Sequence, residues 1–141
     1  MNKIYWKKVE GYTIHDPEVD EDWSTLKIRM PYGFPELVLM PGDDALIPTG
    51  LWFPGVYREF MIIPVHHTYP NKESDVCEVW NGKIKSDFPV LHMSIVSDRS
   101  QVYIHVINLG KTELRYGPGK VVSYFMFTPL IKEFGGEEED D

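Results

Sequence analysis

Two stretches of the chain decide its fold: QVYIHVINLG at residues 101–110 and GPGKVVSYFMFTPL at residues 117–130. Both are rich in valine, isoleucine and aromatic residues, which favour β-strands, and both are bounded by glycine or proline turns. No window of the chain carries apolar residues at the i, i+3, i+4, i+7 spacing of an amphipathic helix. The sequence therefore predicts an all-β domain.

The rest of the chain continues this pattern, because 11 glycines and 11 prolines divide it into short runs of strand-forming residues. Asn81-Gly82 predicts a two-residue hairpin turn, and Gly117–Gly119 predicts a second tight turn. The polar stretch 11–24 is expected to be an extended loop. Regularly spaced short strands are typical of a sandwich, jelly roll or barrel. The predicted strands are Leu26–Met30, Glu36–Met40, Ala45–Phe53, Glu59–Val65, Val76–Trp80, Lys83–Lys85, Val90–Val96, Gln101–Asn108, Thr112–Tyr116 and Val121–Phe127.

Length and composition predict a single β domain over residues 1–134, followed by a flexible acidic tail over residues 135–141. The 141 residues are 43% hydrophobic, which is enough for one compact core. The net charge of −8 is concentrated at the end of the chain, where Glu137–Asp141 supplies five of the negative charges. Like charges repel one another and no apolar group anchors them, so an extended tail is expected.

Several classes of protein are excluded by the same features. No apolar run approaches the roughly 20 residues of a membrane helix, and the start of the chain lacks the apolar core of a signal peptide. The longest basic run is Lys7-Lys8, which predicts no direct binding of nucleic acid. The single cysteine, Cys77, excludes an internal disulfide and suits a reducing compartment. We expect a cytoplasmic protein with no membrane contact.

A third stretch, PGDDALIPTG at residues 41–50, precedes the two that open this section. Together these segments occupy, in order, the scaffold positions of the trimeric dUTPase family, and the chain resembles that family from about residue 23 to residue 130. The related dCTP deaminases are a more distant likeness. The resemblance implies a distorted jelly roll or β-barrel that assembles as a homotrimer and exchanges its C-terminal strand between subunits.

The same resemblance implies that most of the catalytic groups are missing. Thr25 stands where the family has an aspartate near the metal-bound triphosphate, and residues 65–68 replace its Arg-Ser-Gly motif. Ile95 falls on the aspartate that activates the attacking water, and an aliphatic side chain cannot accept a proton. The glycine-rich arm that closes over the phosphates is replaced by the acidic tail, which repels a triphosphate.

Two adjacent residues keep some catalytic potential in this comparison. A shift of one or two residues in the register of this comparison would move Asp98 toward the position of the base, so Asp98 is the candidate catalytic residue, while Arg99 matches a family arginine. The candidate nucleotide-binding residues are Arg99, His66, His67, Thr68 and Lys120.

The favoured function is therefore a catalytically degenerate, dUTPase-like protein of viral or phage type that binds a protein partner and needs no cofactor. One alternative is an atypical Mg²⁺-dependent nucleotide pyrophosphatase or deaminase-like enzyme that uses Asp98, Arg99 and His66. Another is a protein that binds a deoxynucleotide without hydrolysing it.

The histidines and aromatic residues leave further alternatives open. Adjacent residues of a strand point to opposite faces, so His66 and His67 are not expected to share a metal. His92 and His105, placed on strands two apart in the pairing order, are expected to pack or line a lumen. A trimer could instead gather three histidines as zinc ligands. The aromatic stretch 50–57 suits a protein interface.

Overall fold

The computed structural model describes residues 3–21, 24–65, 79–80, 83–84 and 90–137. These residues form strands and turns without a helix, which confirms the predicted all-β class. The strands are β1 (Lys7–Lys8), β2 (Glu18–Asp20), β3 (Thr25–Arg29), β4 (Leu37–Leu39), β5 (Asp44–Pro48), β6 (Leu51–Trp52), β7 (Phe60–Val65), β8 (Val79–Trp80), β9 (Lys83–Ile84), β10 (Leu91–Ser97), β11 (Val102–Asn108), β12 (Leu114–Tyr116) and β13 (Val121–Pro129).

Two antiparallel sheets carry most of the strand residues. One has four strands in the order β2-β3-β13-β7, and the other has three in the order β10-β11-β5. The pairs β1-β6, β12-β4 and β8-β9 form smaller antiparallel ribbons. None of these sheets closes on itself within the described residues.

The core follows from the two-residue period of the strands. Along β11 the burial alternates strictly, and Val102, Ile104 and Val106 are fully buried while the residues between them are half-buried. Phe53 and Phe125 are also fully buried, with ring centroids 6.1 Å apart. Burying each such side chain contributes about 1.5–3 kcal/mol to stability. This apolar layer holds the two main sheets together.

The predicted strand Ala45–Phe53 is wrong in one respect, because a corner at Thr49-Gly50 divides it into β5 and β6. Gly50 has φ of 69°, a left-handed conformation that favours glycine. The buried Thr49 hydroxyl donates to the carbonyl of Val102 at 2.6 Å and accepts from the amide of Leu51 at 3.1 Å. These bonds replace the strand ladder where the chain turns.

The predicted loop over residues 11–24 is also partly wrong, since Glu18–Asp20 forms β2 and pairs with β3. The Glu18 carboxylate pairs with Arg29 at 3.1 Å and Lys27 at 3.5 Å across the strands. Cross-strand charge pairs therefore hold a segment whose acidic composition disfavours a strand.

The predicted hairpin at Asn81-Gly82 agrees with the pairing of Trp80 with Lys83, although the two turn residues lie outside the described residues. Cys77 lies outside them as well. In the part of the chain that the structure describes, no helix is long and apolar enough to cross a membrane.

Candidate functional site

Asp98 lies in the turn between β10 and β11, which we call the Asp98 turn (Ser97–Gln101). Its Oδ1 accepts hydrogen bonds from the Ser100 hydroxyl at 2.6 Å, the Ser100 amide at 2.9 Å and the Gln101 amide at 3.0 Å. Its Oδ2 accepts from the Tyr103 hydroxyl at 3.1 Å. The carboxylate therefore closes the turn as a side-chain acceptor, a common role of aspartate.

These bonds also set the chemistry of the carboxylate. The Ser100 hydroxyl, followed by the amides of Gln101 and Ser100, holds the pKa of Asp98 well below its usual range. Hydrogen bonds to the charged form favour ionisation, whereas an effective general base needs a pKa near the working pH. In this geometry Asp98 is a weak base.

The other predicted site residues lie in three places. Arg99 is exposed beside Asp98, with a left-handed φ of 72°, and forms no salt bridge with the described residues. Lys120 is exposed in the turn before β13, where its amide bonds to the Gly117 carbonyl at 3.1 Å. His66, His67 and Thr68 lie outside the described residues. The proposed nucleotide site therefore stays a prediction.

The oxygens of Asp98, which the enzyme alternative would offer to a Mg²⁺ ion, are used within the turn. Magnesium prefers several oxygen ligands in octahedral geometry, and both oxygens of Asp98 already accept hydrogen bonds within the turn. Among the residues that the structure describes, no three His, Cys, Asp or Glu side chains come together as a metal site.

The three-stranded sheet presents one face to the outside, which we call the outer sheet face. Its residues form three cross-strand rows, each drawn from β10, β11 and β5. Leu46 is 49% exposed and Val96 is 41% exposed, although both are apolar. The three rows are Val96–Tyr103–Pro48, Ser94–His105–Leu46 and His92–Ile107–Asp44.

The two histidines of this face correct the expected pairing order. His92 and His105 lie on strands that pair directly, because His92 faces Ile107 while His105 faces Ser94. His105 Nε2 is 2.7 Å from Asp44 Oδ2, which gives this imidazole a carboxylate partner. The face thus combines exposed apolar side chains on its outer strands with a polar histidine–aspartate contact that starts from the central strand.

A small cleft of about 120 Å³ lies between β3 and the segment of residues 14–18. Its charged groups are matched within the chain, since Glu18 pairs with both Lys27 and Arg29. The guanidinium of Arg29 also donates to the Gly119 carbonyl at 3.0 Å. The cleft is small and internally neutralised, and we assign it no ligand.

A larger groove of about 780 Å³ lies on another surface. Residues 3–5, the turn at residues 54–59 and residues 129–132 form its walls, and Lys3, Arg58 and Lys132 line it together with one carboxylate, Glu59. We call it the basic groove. Three cations against one anion is an unusual balance on a chain whose net charge is −8.

The turn under the basic groove, the Gly55 turn (Phe53–Phe60), is closed by its backbone. The Gly55 carbonyl accepts from the amides of Arg58 at 3.1 Å and Glu59 at 2.8 Å. Tyr57, with φ of 64°, donates its amide to the Phe60 carbonyl at 2.8 Å and its hydroxyl to the Ile95 carbonyl at 3.2 Å. The charged side chains of this turn are left for other contacts.

No protein-family model matches the chain, and no curated protein matches it either. The resemblance to the dUTPase family therefore depends on the motif positions alone.

Two surfaces were not anticipated from the sequence. The two-residue alternation of side chains along residues 91–97 and 102–108 could have predicted the outer sheet face. It places Val96 and Tyr103 on the side of the sheet that points away from the core. The basic groove had no such signal, since its three cations come from distant parts of the chain.

Proposed function

We propose that this protein is a catalytically inactive, dUTPase-like homotrimer that acts by binding a protein partner through its outer sheet face. The observation that carries the proposal is the exposure of two apolar side chains, Leu46 and Val96, on the same face of an ordered sheet. Apolar residues that are exposed together on one surface mark protein interaction sites.

The composition of the face suits such a partner. Leu46, Val96 and Ile107 provide apolar contacts, and Tyr103 adds an aromatic ring, a residue type enriched at interfaces. The contact between His105, on the central strand, and Asp44 provides polar groups that can set orientation. The strands beneath are anchored by fully buried Val106 and Ile104, so the surface is preorganised.

The geometry of Asp98 supports a non-catalytic role. Phosphoryl chemistry on a triphosphate depends on several positioned cations or metals and on a group that positions or activates the nucleophile. Here the one candidate base is held in a turn with a lowered pKa. Both oxygens of Asp98 accept hydrogen bonds, so this carboxylate is poorly placed to take a proton from water.

A pair of double variants tests the binding surface. Leu46→Lys with Val96→Lys places two charges on the outer sheet face, whereas Val38→Lys with Met40→Lys places them on other exposed apolar positions. The readouts are molar mass by light scattering and photo-crosslinking from residue 46 or residue 38 in cells. With the photo-crosslinker at residue 46 we expect a specific protein adduct, and adding Val96→Lys should abolish it. With the photo-crosslinker at residue 38 we expect no matching adduct.

A second experiment tests the catalytic alternative. Thermal unfolding is recorded with dUTP, dCTP and other nucleotides, each with and without Mg²⁺. A ligand at about 100 times its dissociation constant would add about 2.7 kcal/mol to the free energy of unfolding. We expect no shift and no hydrolysis. A Mg²⁺-dependent shift with product formation would overturn the proposal in favour of the enzyme, and a shift without product would favour nucleotide storage.

A further inference from the structure

We infer that the basic groove binds a small organic molecule that carries a phosphate monoester group. The groove shares no residue with the three rows of the outer sheet face, so this inference goes beyond the proposed function. Its test needs no protein partner, and the two proposals can therefore fail independently.

The convergence of cations on a concave surface is the first reason. Single exposed cations without an ion pair also occur elsewhere in the described part of the chain, at Lys7, Lys111 and Arg99, so a missing partner does not by itself indicate a site. The groove differs because its cations come from three separate segments of the chain and line one surface. A cleft lined by one sign of charge raises the local concentration of ions of the opposite sign.

The balance of charge is the second reason. Lys3, Arg58 and Lys132 supply three positive charges to the groove and Glu59 supplies one negative charge, which leaves a surplus of two positive charges. A phosphate monoester carries about −1.5 to −2 charges at pH 7 and matches this surplus, whereas a single carboxylate leaves half of it and a triphosphate exceeds it. A guanidinium such as that of Arg58 can also donate two parallel hydrogen bonds to two oxygens of one phosphate.

The apolar part of the lining is the third reason. Tyr5, Pro54, Pro129 and Leu130 line the groove beside the charged residues. Lys3 Nζ lies 5.2 Å from the centroid of the Tyr5 ring, so a cation and an aromatic surface are adjacent. The volume of about 780 Å³ falls within the range of about 300–1,000 Å³ typical of ligand sites, which combine apolar side chains with a few polar groups. The groove therefore has room for an apolar body next to the phosphate.

Backbone hydrogen bonds hold two walls of the groove together. The Gly55 carbonyl accepts from the amides of Arg58 at 3.1 Å and Glu59 at 2.8 Å, and the Glu59 carbonyl accepts from the amide of Leu130 at 3.0 Å. The turn that carries Arg58 is thereby joined to the segment that carries Lys132. A site whose walls are fixed before binding loses less conformational freedom when the ligand arrives.

The test is an amide NMR titration of the protein with phenyl phosphate, which combines a phosphate monoester with an aromatic body. We expect saturable shifts of the amides of Tyr5, Arg58 and Lys132. Inorganic phosphate, which lacks the apolar body, and benzoate, which carries a single charge, should both bind more weakly than phenyl phosphate.

Two double variants with the same change in net charge locate the site. Arg58→Gln with Lys132→Gln removes two charges from the groove, and we expect the dissociation constant of phenyl phosphate to rise about tenfold. Arg99→Gln with Lys111→Gln removes two exposed charges outside the groove, where salt screens them, and should change this constant by less than about twofold. Glu59→Gln removes a negative charge from the groove and should lower the constant about two- to fivefold, a gain that a misfolded variant would not show.

Three results would each overturn the inference. The first is the absence of a saturable shift in the groove with phenyl phosphate. The second is an equal loss of binding in both double variants, which would show a general attraction of anions to the surface. The third is binding of inorganic phosphate or benzoate as tight as that of phenyl phosphate, since the groove would then not select a phosphate monoester with an apolar body.

Discussion

The Asp98 turn and the Gly55 turn solve the same problem with different groups. Each reverses the chain tightly, contains a non-glycine residue with positive φ, and carries an arginine, Arg99 or Arg58. The Asp98 turn is closed by a side chain, whose carboxylate accepts four hydrogen bonds. The Gly55 turn is closed by a backbone carbonyl.

The two turns differ in whether a charged side chain is used to close the turn. A carboxylate that accepts hydrogen bonds from amides and hydroxyls is a weak base, so we expect Asp98 to act mainly in closing its turn. The Gly55 turn leaves Arg58 and Glu59 on the wall of the basic groove. Charged side chains are free to bind where the backbone alone holds the turn.

The largest expected effect comes from Gly55→Ala. Gly55 has φ of 95°, and a Cβ there would lie 3.2 Å from Glu59 Oε2 and 3.2 Å from Phe60 Cε1. We expect a loss of about 1–3 kcal/mol from strained backbone and close contact. Urea unfolding measures it, with Gly33→Ala, where a Cβ meets no atom within 4 Å, as the control. Equal stability of the two variants would show that the backbone does not hold the Gly55 turn rigidly.

A smaller, pH-dependent effect is expected from Asp98→Asn. Because the folded-state pKa lies below the ordinary value of 3.8, the carboxylate stabilises the fold above that pH and loses this contribution as the pH falls through the folded pKa. The wild type should therefore unfold at a higher temperature than Asp98→Asn at pH 7, and this difference in melting temperature should narrow below about pH 4. Thermal unfolding across pH checks this.

The control for this prediction is Glu21→Gln, which neutralises an exposed carboxylate outside the Asp98 turn. Its difference in melting temperature from the wild type should not vary with pH in the same way. A constant gap for Asp98→Asn between pH 7 and pH 3 would contradict a structural role of its charge.

Arg99→Gly should raise stability slightly. Arg99 has a left-handed φ of 72°, which is costly for a residue with a Cβ, whereas glycine adopts it freely. The gain is partly offset by the greater freedom of glycine in the unfolded chain, so we expect about 0.5 kcal/mol. Chemical denaturation of Arg99→Gly and Arg99→Ala provides the measurement. If Arg99→Ala gained as much, relief of backbone strain would not be the cause.

The smallest effect on stability is expected from Arg58→Ala. The turn is held by the Gly55 carbonyl rather than by this exposed side chain, so the free energy of unfolding should change by less than about 0.5 kcal/mol. A large loss of stability on Arg58→Ala would mean that its side chain supports the turn, as Asp98 does in the other one.

Much of the fold could be predicted from residue patterns. The alternation at residues 102–108 and the apolar run at residues 121–127 correspond to β11 and β13, because burial of one face imposes a two-residue period. The corner at Thr49-Gly50 and the strand β2 were missed. Both depend on partners distant in sequence, Val102 for the corner and Lys27 with Arg29 for the strand.

The sequence by itself determined the all-β class, the main strands and the apolar alternation that buries one face of β11. These are local properties, set by side-chain shape and by a period that each strand carries alone. Tertiary structure decided which charged groups are free. The Asp98 carboxylate accepts hydrogen bonds from Tyr103 and from its own turn. Lys3, Arg58 and Lys132, in contrast, line one groove. Hydrogen bonding and convergence depend on distances in space, and a residue pattern does not contain them.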